Sequence, residues 1–146
     1  MKRALIAGVA LLALGGQSHA TSLWYHNGST LSLVADGNSR EFRYEQPRPG
    51  MWDAGAEPGS LLFQGTADNG YYFGTAYLFR GYCGQFAYQV SGPILNNYRK
   101  VVLHGRAPRV DSNCQIQGYI ENTLEFTYLA GRTVPKWEGR NEIWLD

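Results

Sequence analysis

The sequence predicts an all-β domain: an antiparallel meander of about eight strands, closed into a small barrel or folded as a two-sheet sandwich. Three observations predict it. After position 20 the apolar residues alternate with polar ones in short runs, and no stretch keeps a helical period. Aromatics and glycines dominate, with 10 Tyr, 6 Phe, 4 Trp and 18 Gly in the chain, the composition of strands joined by tight turns. Turn signals recur at short, regular spacing, as in sandwiches and barrels.

The elements follow in order. Lys2 and Arg3 precede an apolar run from Ala4 to Leu14, and Ser18 and Ala20 supply small residues at −3 and −1. That is a signal peptide, with cleavage expected after Ala20. The apolar run is too short to span a bilayer, so no membrane span is expected after cleavage. Residues 21–129 are read as one domain. Its first hairpin joins 30–35, with Leu31 and Leu33 on one face, to 40–45, with Phe42 and Tyr44 on one face, through Asp36-Gly37-Asn38. Residues 46–59 hold Pro47, Pro49 and Pro58 with three glycines. Proline cannot donate to a ladder, so this reads as a long loop.

A short strand at 61–64 and a turn at Asp68-Asn69-Gly70 lead into 71–79, the longest strand candidate. Its odd positions, Tyr71, Phe73, Thr75, Tyr77 and Phe79, form an aromatic row. Barrel interiors need large alternating side chains, so the row is read as core, with a ligand-lined pocket as the competing reading. Cys83 lies in the next turn, then strands at 86–91 and 98–104, a loop at 105–113 around Pro108, and a final hairpin of 114–119 and 123–129 about Glu121-Asn122. Residues 130–146, with Trp137, Ile143 and Trp144, are read as a tail packed across the barrel or added at its edge.

Charge narrows the function classes. Removing Lys2 and Arg3 from the 13 basic residues leaves 11 against 12 acidic ones, a net charge of −1. Nucleic acid and anionic membranes need a concentrated basic face, which these scattered arginines do not make. Cys83 and Cys114 are the only cysteines. An even count in an exported chain reads as a disulfide, with two free thiols as the alternative.

No catalytic constellation stands out. His26, in Trp24-Tyr25-His26-Asn27-Gly28-Ser29, has a serine nearby but no marked acid or oxyanion elbow. His26 and His104 are the only histidines after Ala20, and spacing marks no third metal ligand. Glu41 and Glu45 flank Arg43 on an alternating strand, the pattern of a solvated face. No cofactor motif occurs. Loops on a rigid β scaffold are the usual recognition elements. The candidate binding residues are therefore Arg48, Met51 and Trp52 in the first long loop, Arg106 and Arg109 in the second, and His26.

Several of these motifs together resemble a family. Trp24-Tyr25-His26-Asn27-Gly28-Ser29, Pro47-Arg48-Pro49-Gly50, Leu62-Phe63-Gln64-Gly65, Gly74-Thr75-Ala76-Tyr77, Cys83-Gly84 and Gly105-Arg106-Ala107-Pro108 with Cys114 resemble small exported proteins of Gram-negative bacteria whose function is unknown. The resemblance implies a common fold and a Cys83–Cys114 pair, and it brings no activity. The opening run is also similar to the first strand of avidin-like biotin barrels, a pattern the rest of the chain does not continue. In size and architecture alone the domain resembles periplasmic inhibitors of C-type lysozyme. The expectation is a non-enzymatic binding module in the periplasm or secreted, with a protein or small ligand of the cell envelope as partner. Its alternatives are a carrier of an apolar ligand inside the barrel and an inhibitor of a cell-wall hydrolase.

Overall fold

Asn-Gly pairs and short polar turns stop the strands early and fold each back on its predecessor. In the computed structural model, which describes residues 20–132, the strands are β1 (Ala20–His26), β2 (Ser29–Asp36), β3 (Ser39–Gln46), β4 (Leu61–Asp68), β5 (Tyr71–Phe79), β6 (Gln85–Leu95), β7 (Lys100–Val110) and β8 (Ile116–Arg132). A five-residue helix, α1 (Pro49–Asp53), sits between β3 and β4. Each strand pairs antiparallel with the next, and β8 pairs with β1, so the meander is a closed barrel. Asn27-Gly28 and Asn69-Gly70 both have positive φ at each residue, as the hairpin turns that match strand twist require. Among the described residues no helix is long and apolar enough to cross a membrane.

Aromatic rings fill the interior. Phe42 is fully buried at its centre. It stacks on Phe126 at 4.0 Å and meets Trp24 edge-on at 5.6 Å, both favoured ring arrangements. Phe63 and Tyr72 stack beside them at 6.2 Å. Close backbone approach sets the other dimension. A Cβ on Gly92 would lie 1.7 Å from the Val102 carbonyl oxygen, so β6 and β7 can meet there only through glycine.

The expected all-β barrel is present, and several details differ from the expectation. β1 is a strand of its own, ending at the Asn27-Gly28 turn. The last element is a single 17-residue strand with no hairpin at Glu121-Asn122. Those two residues pair in register with Arg106 and Gly105 of β7, and Asn122 Nδ2 donates to Tyr88 Oη at 2.9 Å, so local turn chemistry loses to the ladder. β7 extends to Val110, which places Arg106 and Arg109 on a strand and not in a loop. Pro108 is tolerated there. The Val102 carbonyl points at β6, so its alternates, Pro108 included, turn the same way, and β6 stops pairing beyond Gly105. The 46–59 segment carries α1 in addition to loop.

The aromatic row of β5 faces out at its start, whereas Tyr77 and Phe79 at its end pack toward the core. Phe63 pairs with Ala76, which turns the even positions inward. Tyr72 and Ala76 are buried, while Tyr71 and Phe73 are exposed, and only Phe79 of the odd row is buried. Cys83 and Cys114 form the disulfide, with Cα atoms 5.2 Å apart. It does not lie at the closing seam, which is β1–β8. It ties the β5–β6 turn to the β7–β8 turn, helped by Arg80 Nη2 donating to Val110 O at 2.8 Å and Tyr82 Oη donating to Ser112 O at 2.5 Å. Residues 130–132, read as tail, belong to β8. The remainder of the tail and residues 1–19 of the expected 1–20 leader lie outside the described residues, and Ala20 opens β1.

Candidate functional site

One end of the barrel gathers the β1–β2 turn, α1, the β5–β6 turn and the disulfide-braced β7–β8 turn. β1 stops at His26, whereas β8 runs well beyond its last β1 pair, Tyr25↔Thr127. The mismatch leaves an open cleft of about 710 Å³ at this mouth, bordered by Tyr25, His26 and Asn27 on one side and 122–125 of β8 on another. Met51 of α1 overhangs it, and Tyr44, Leu62, Leu78 and Tyr88 rise from the barrel below. The open space lies at this mouth, above an interior occupied by Phe42, Phe63 and Phe126.

Three polar groups define the chemistry of the cleft. His26 lies against Phe126, ring centroids 4.8 Å apart, and its Nδ1 is 2.8 Å from the Glu125 carbonyl oxygen. A backbone carbonyl only accepts, so Nδ1 carries the proton and the neutral ring leaves Nε2 as an acceptor. Burial lowers the His26 pKa below 6.5. The Glu125 carbonyl opposes that, and the positive charge of Arg48 adds to it. The ring is therefore neutral at physiological pH.

Tyr44 is 3% exposed. Its ring meets Phe79 edge-on at 5.8 Å, and among the described residues its hydroxyl has no hydrogen-bond partner. Burial pushes its pKa up to about 12, against a smaller opposite pull from Arg48. The Tyr44 side chain lines the cleft with this hydroxyl, and buried polar groups are nearly always paired. Tyr88 Oη accepts from Asn122 and keeps its own hydrogen to donate. Arg48 stands just before α1. Its backbone N–H donates to the buried Ser29 hydroxyl at 2.9 Å, and its guanidinium lies over Gly50, where a Cβ would clash with Nη1.

Of the residues singled out from sequence, His26 and Met51 line this cleft, and Arg48 flanks it. Trp52 is half-exposed on α1 and is not on the cleft wall. Arg106 is on the outer face of β7, with its Nε 3.5 Å from Glu121. Arg109 borders a separate hollow of about 370 Å³ with Arg80 and Pro108. His104 pairs with Thr123 on the exterior at 3.1 Å. Among the described residues no group of three or more His, Cys, Asp or Glu is placed to hold a metal ion. Sequence reasoning missed Tyr88 and Asn122, and placed Tyr44 among aromatics read as core with a lined pocket as the competing reading. Asn122 had a signal as well: reading β8 as continuous makes it a polar residue on the inward row with Leu124 and Phe126.

The chain matches no family model, no curated protein and no solved structure.

Proposed function

We propose that the protein is an exported, disulfide-braced binding module that holds part of its partner in the mouth cleft. Export rests on the leader sequence, on the Cys83–Cys114 bond, which suits an oxidising compartment, and on the resemblance to small exported proteins. The observation that carries the binding reading is one open cleft lined by Tyr44, Tyr88 and a neutral His26, whose Nε2 is left as an acceptor, among apolar walls. Binding sites characteristically combine apolar walls with a few converging polar groups. Tyr44 and Tyr88 can donate, His26 Nε2 can accept, and Met51, Leu62, Leu78 and Leu124 supply apolar contact. His26 has no serine or cysteine hydroxyl or thiol bonded to it among the described residues, so the arrangement favours recognition over nucleophilic catalysis.

The test is a footprint. Hydrogen exchange is followed on the full chain with fractions of envelope extract. The reading expects protection at 25–27, Tyr44, Met51 and 122–127. Protection confined to the opposite end, at 36–38, 69–70 and 96–98, refutes it.

A further inference from the structure

We propose that the overhanging edge of β8 docks an extended peptide segment of a partner protein, added as a strand beside β8, with alternate side chains entering the mouth cleft. The proposal rests on the cleft reading above and names the kind of partner that reading leaves open.

The backbone carries it. Beyond Thr127, eleven residues of β8, 116–126, have among the described residues no strand on the side where β1 pairs further along. The direction of the free groups is set by two hydrogen bonds. Tyr128 N donates to Arg99 O on the β7 side at 2.8 Å, while Glu125 O accepts from His26 on the other side. A residue's N–H and C=O leave a strand on the same side and alternate along it. Tyr119, Glu121 and Thr123 therefore point their N–H and C=O groups to the open side. Exposed edges of this kind template an added strand. The ribbon that offers the edge is held ready by the disulfide and by Arg80 and Tyr82 at its tip.

Side chains select the occupant. Asn122 and Leu124 face the cleft, so neighbouring residues of an added strand would drop apolar groups into it. Glu121 and Glu125 stand on the outer face with side chains 80% and 62% exposed. Their partners on β7, Arg106 at 3.5 Å and Lys100 at 4.0 Å, leave them largely solvated. A strand with basic residues on its outer row complements them. In antiparallel pairing of two β8 edges, centring on Thr123 sets Glu121 against Glu125 and centring on Glu121 sets it against itself, and like charges directly opposite disfavour those two registers of a second copy.

The probe is the labelled peptide Lys-Val-Lys-Phe-Lys-Val-Lys, titrated against the full chain by fluorescence anisotropy. With lysines on the outer row of a strand added antiparallel to β8, the lysine amides face β8 and the Val and Phe amides face away. N-methylation of the lysine amides should weaken binding about tenfold or more. N-methylation of the Val and Phe amides should leave it within about threefold, since each lost hydrogen bond is worth roughly three- to tenfold. Thr123→Pro removes one edge-facing N–H and none of the β7 ladder. It should weaken binding by a similar factor with unchanged circular dichroism, and the Glu121→Lys/Glu125→Lys pair should weaken it further.

If both N-methylated peptides and the Thr123→Pro chain bind like the parent pair, the edge is not the site, although the cleft reading survives. If no peptide binds while the envelope footprint still falls on the cleft, the strand proposal alone fails. A large gain in affinity on truncation after Arg132 assigns the edge to residues 133–146 and overturns the partner. A dimer that Thr123→Pro dissolves assigns it to a second copy and does the same.

Discussion

Two neighbouring residues on β5 test the orientation of the barrel wall directly. Tyr72 is 5% exposed and stacks on Phe63, whereas Phe73 is 46% exposed on the outer face. A ring side chain carries about 200 Å², so full burial is worth at most ~5 kcal/mol at 25 cal/mol/Å². Tyr72 realises nearly all of that, Phe73 about half. Alanine keeps its Cβ and the unfolded chain already hides part of the surface, which brings the expected losses to about 3–4 kcal/mol for Tyr72→Ala and about 1–1.5 kcal/mol for Phe73→Ala. The assay is urea unfolding followed by tryptophan fluorescence, on a domain of a size that usually unfolds in two states. With a slope of about 1.5 kcal/mol per M, the midpoints should fall by roughly 2–2.5 M and under 1 M respectively. Equal losses, or a larger loss for Phe73→Ala, would mean that the odd row is the core row, and the inside-out assignment of β5 would be wrong.

Three further outcomes are expected. Replacing Cys83 and Cys114 together by serine opens a loop with a sequence separation of 31; calorimetry should show a loss of about 3–4 kcal/mol and a Tm lower by roughly 10–15 °C, and no change would remove the brace from the argument. His26 has a folded pKa below its unfolded value of 6.5, so the unfolded state takes up the proton first and stability is lost as pH falls below 6.5; the difference in urea midpoint between pH 7.5 and pH 5 should shrink in His26→Gln, and an unchanged difference refutes the burial of a neutral ring. Tyr44→Phe deletes a hydroxyl without a partner among the described residues and should be neutral or slightly stabilising, whereas Tyr88→Phe removes the acceptor of Asn122 and should cost about 1 kcal/mol. Because Tyr44 titrates at about 12, Tyr44→Phe should leave phenolate absorbance at pH 11 nearly unchanged; loss of one full tyrosine's signal there counts against its burial.

The sequence by itself determined the class and much of the plan. Alternation in 31–35 and 40–45 and the glycine turns are local signals, and each maps onto a local element: hairpin β2–β3 and tight turns. The Cys83–Cys114 bond is long-range, and it is legible because these are the only two cysteines. Which face of β5 points inward is not local. Its odd row is the more aromatic, yet cross-strand register with Phe63 turns Ala76 and Tyr72 into the core and leaves Tyr71 and Phe73 outside, because a one-residue change of register inverts every side chain. The same holds for β8, where Glu121-Asn122 resembles a turn until Arg106 and Gly105 pair with it. The cleft is the clearest case. Its existence depends on β1 ending at His26 while β8 overhangs it, and on Tyr44, Tyr88 and Asn122 converging from three strands. No spacing along the chain encodes that difference in strand length, because it arises only when the first strand closes on the last.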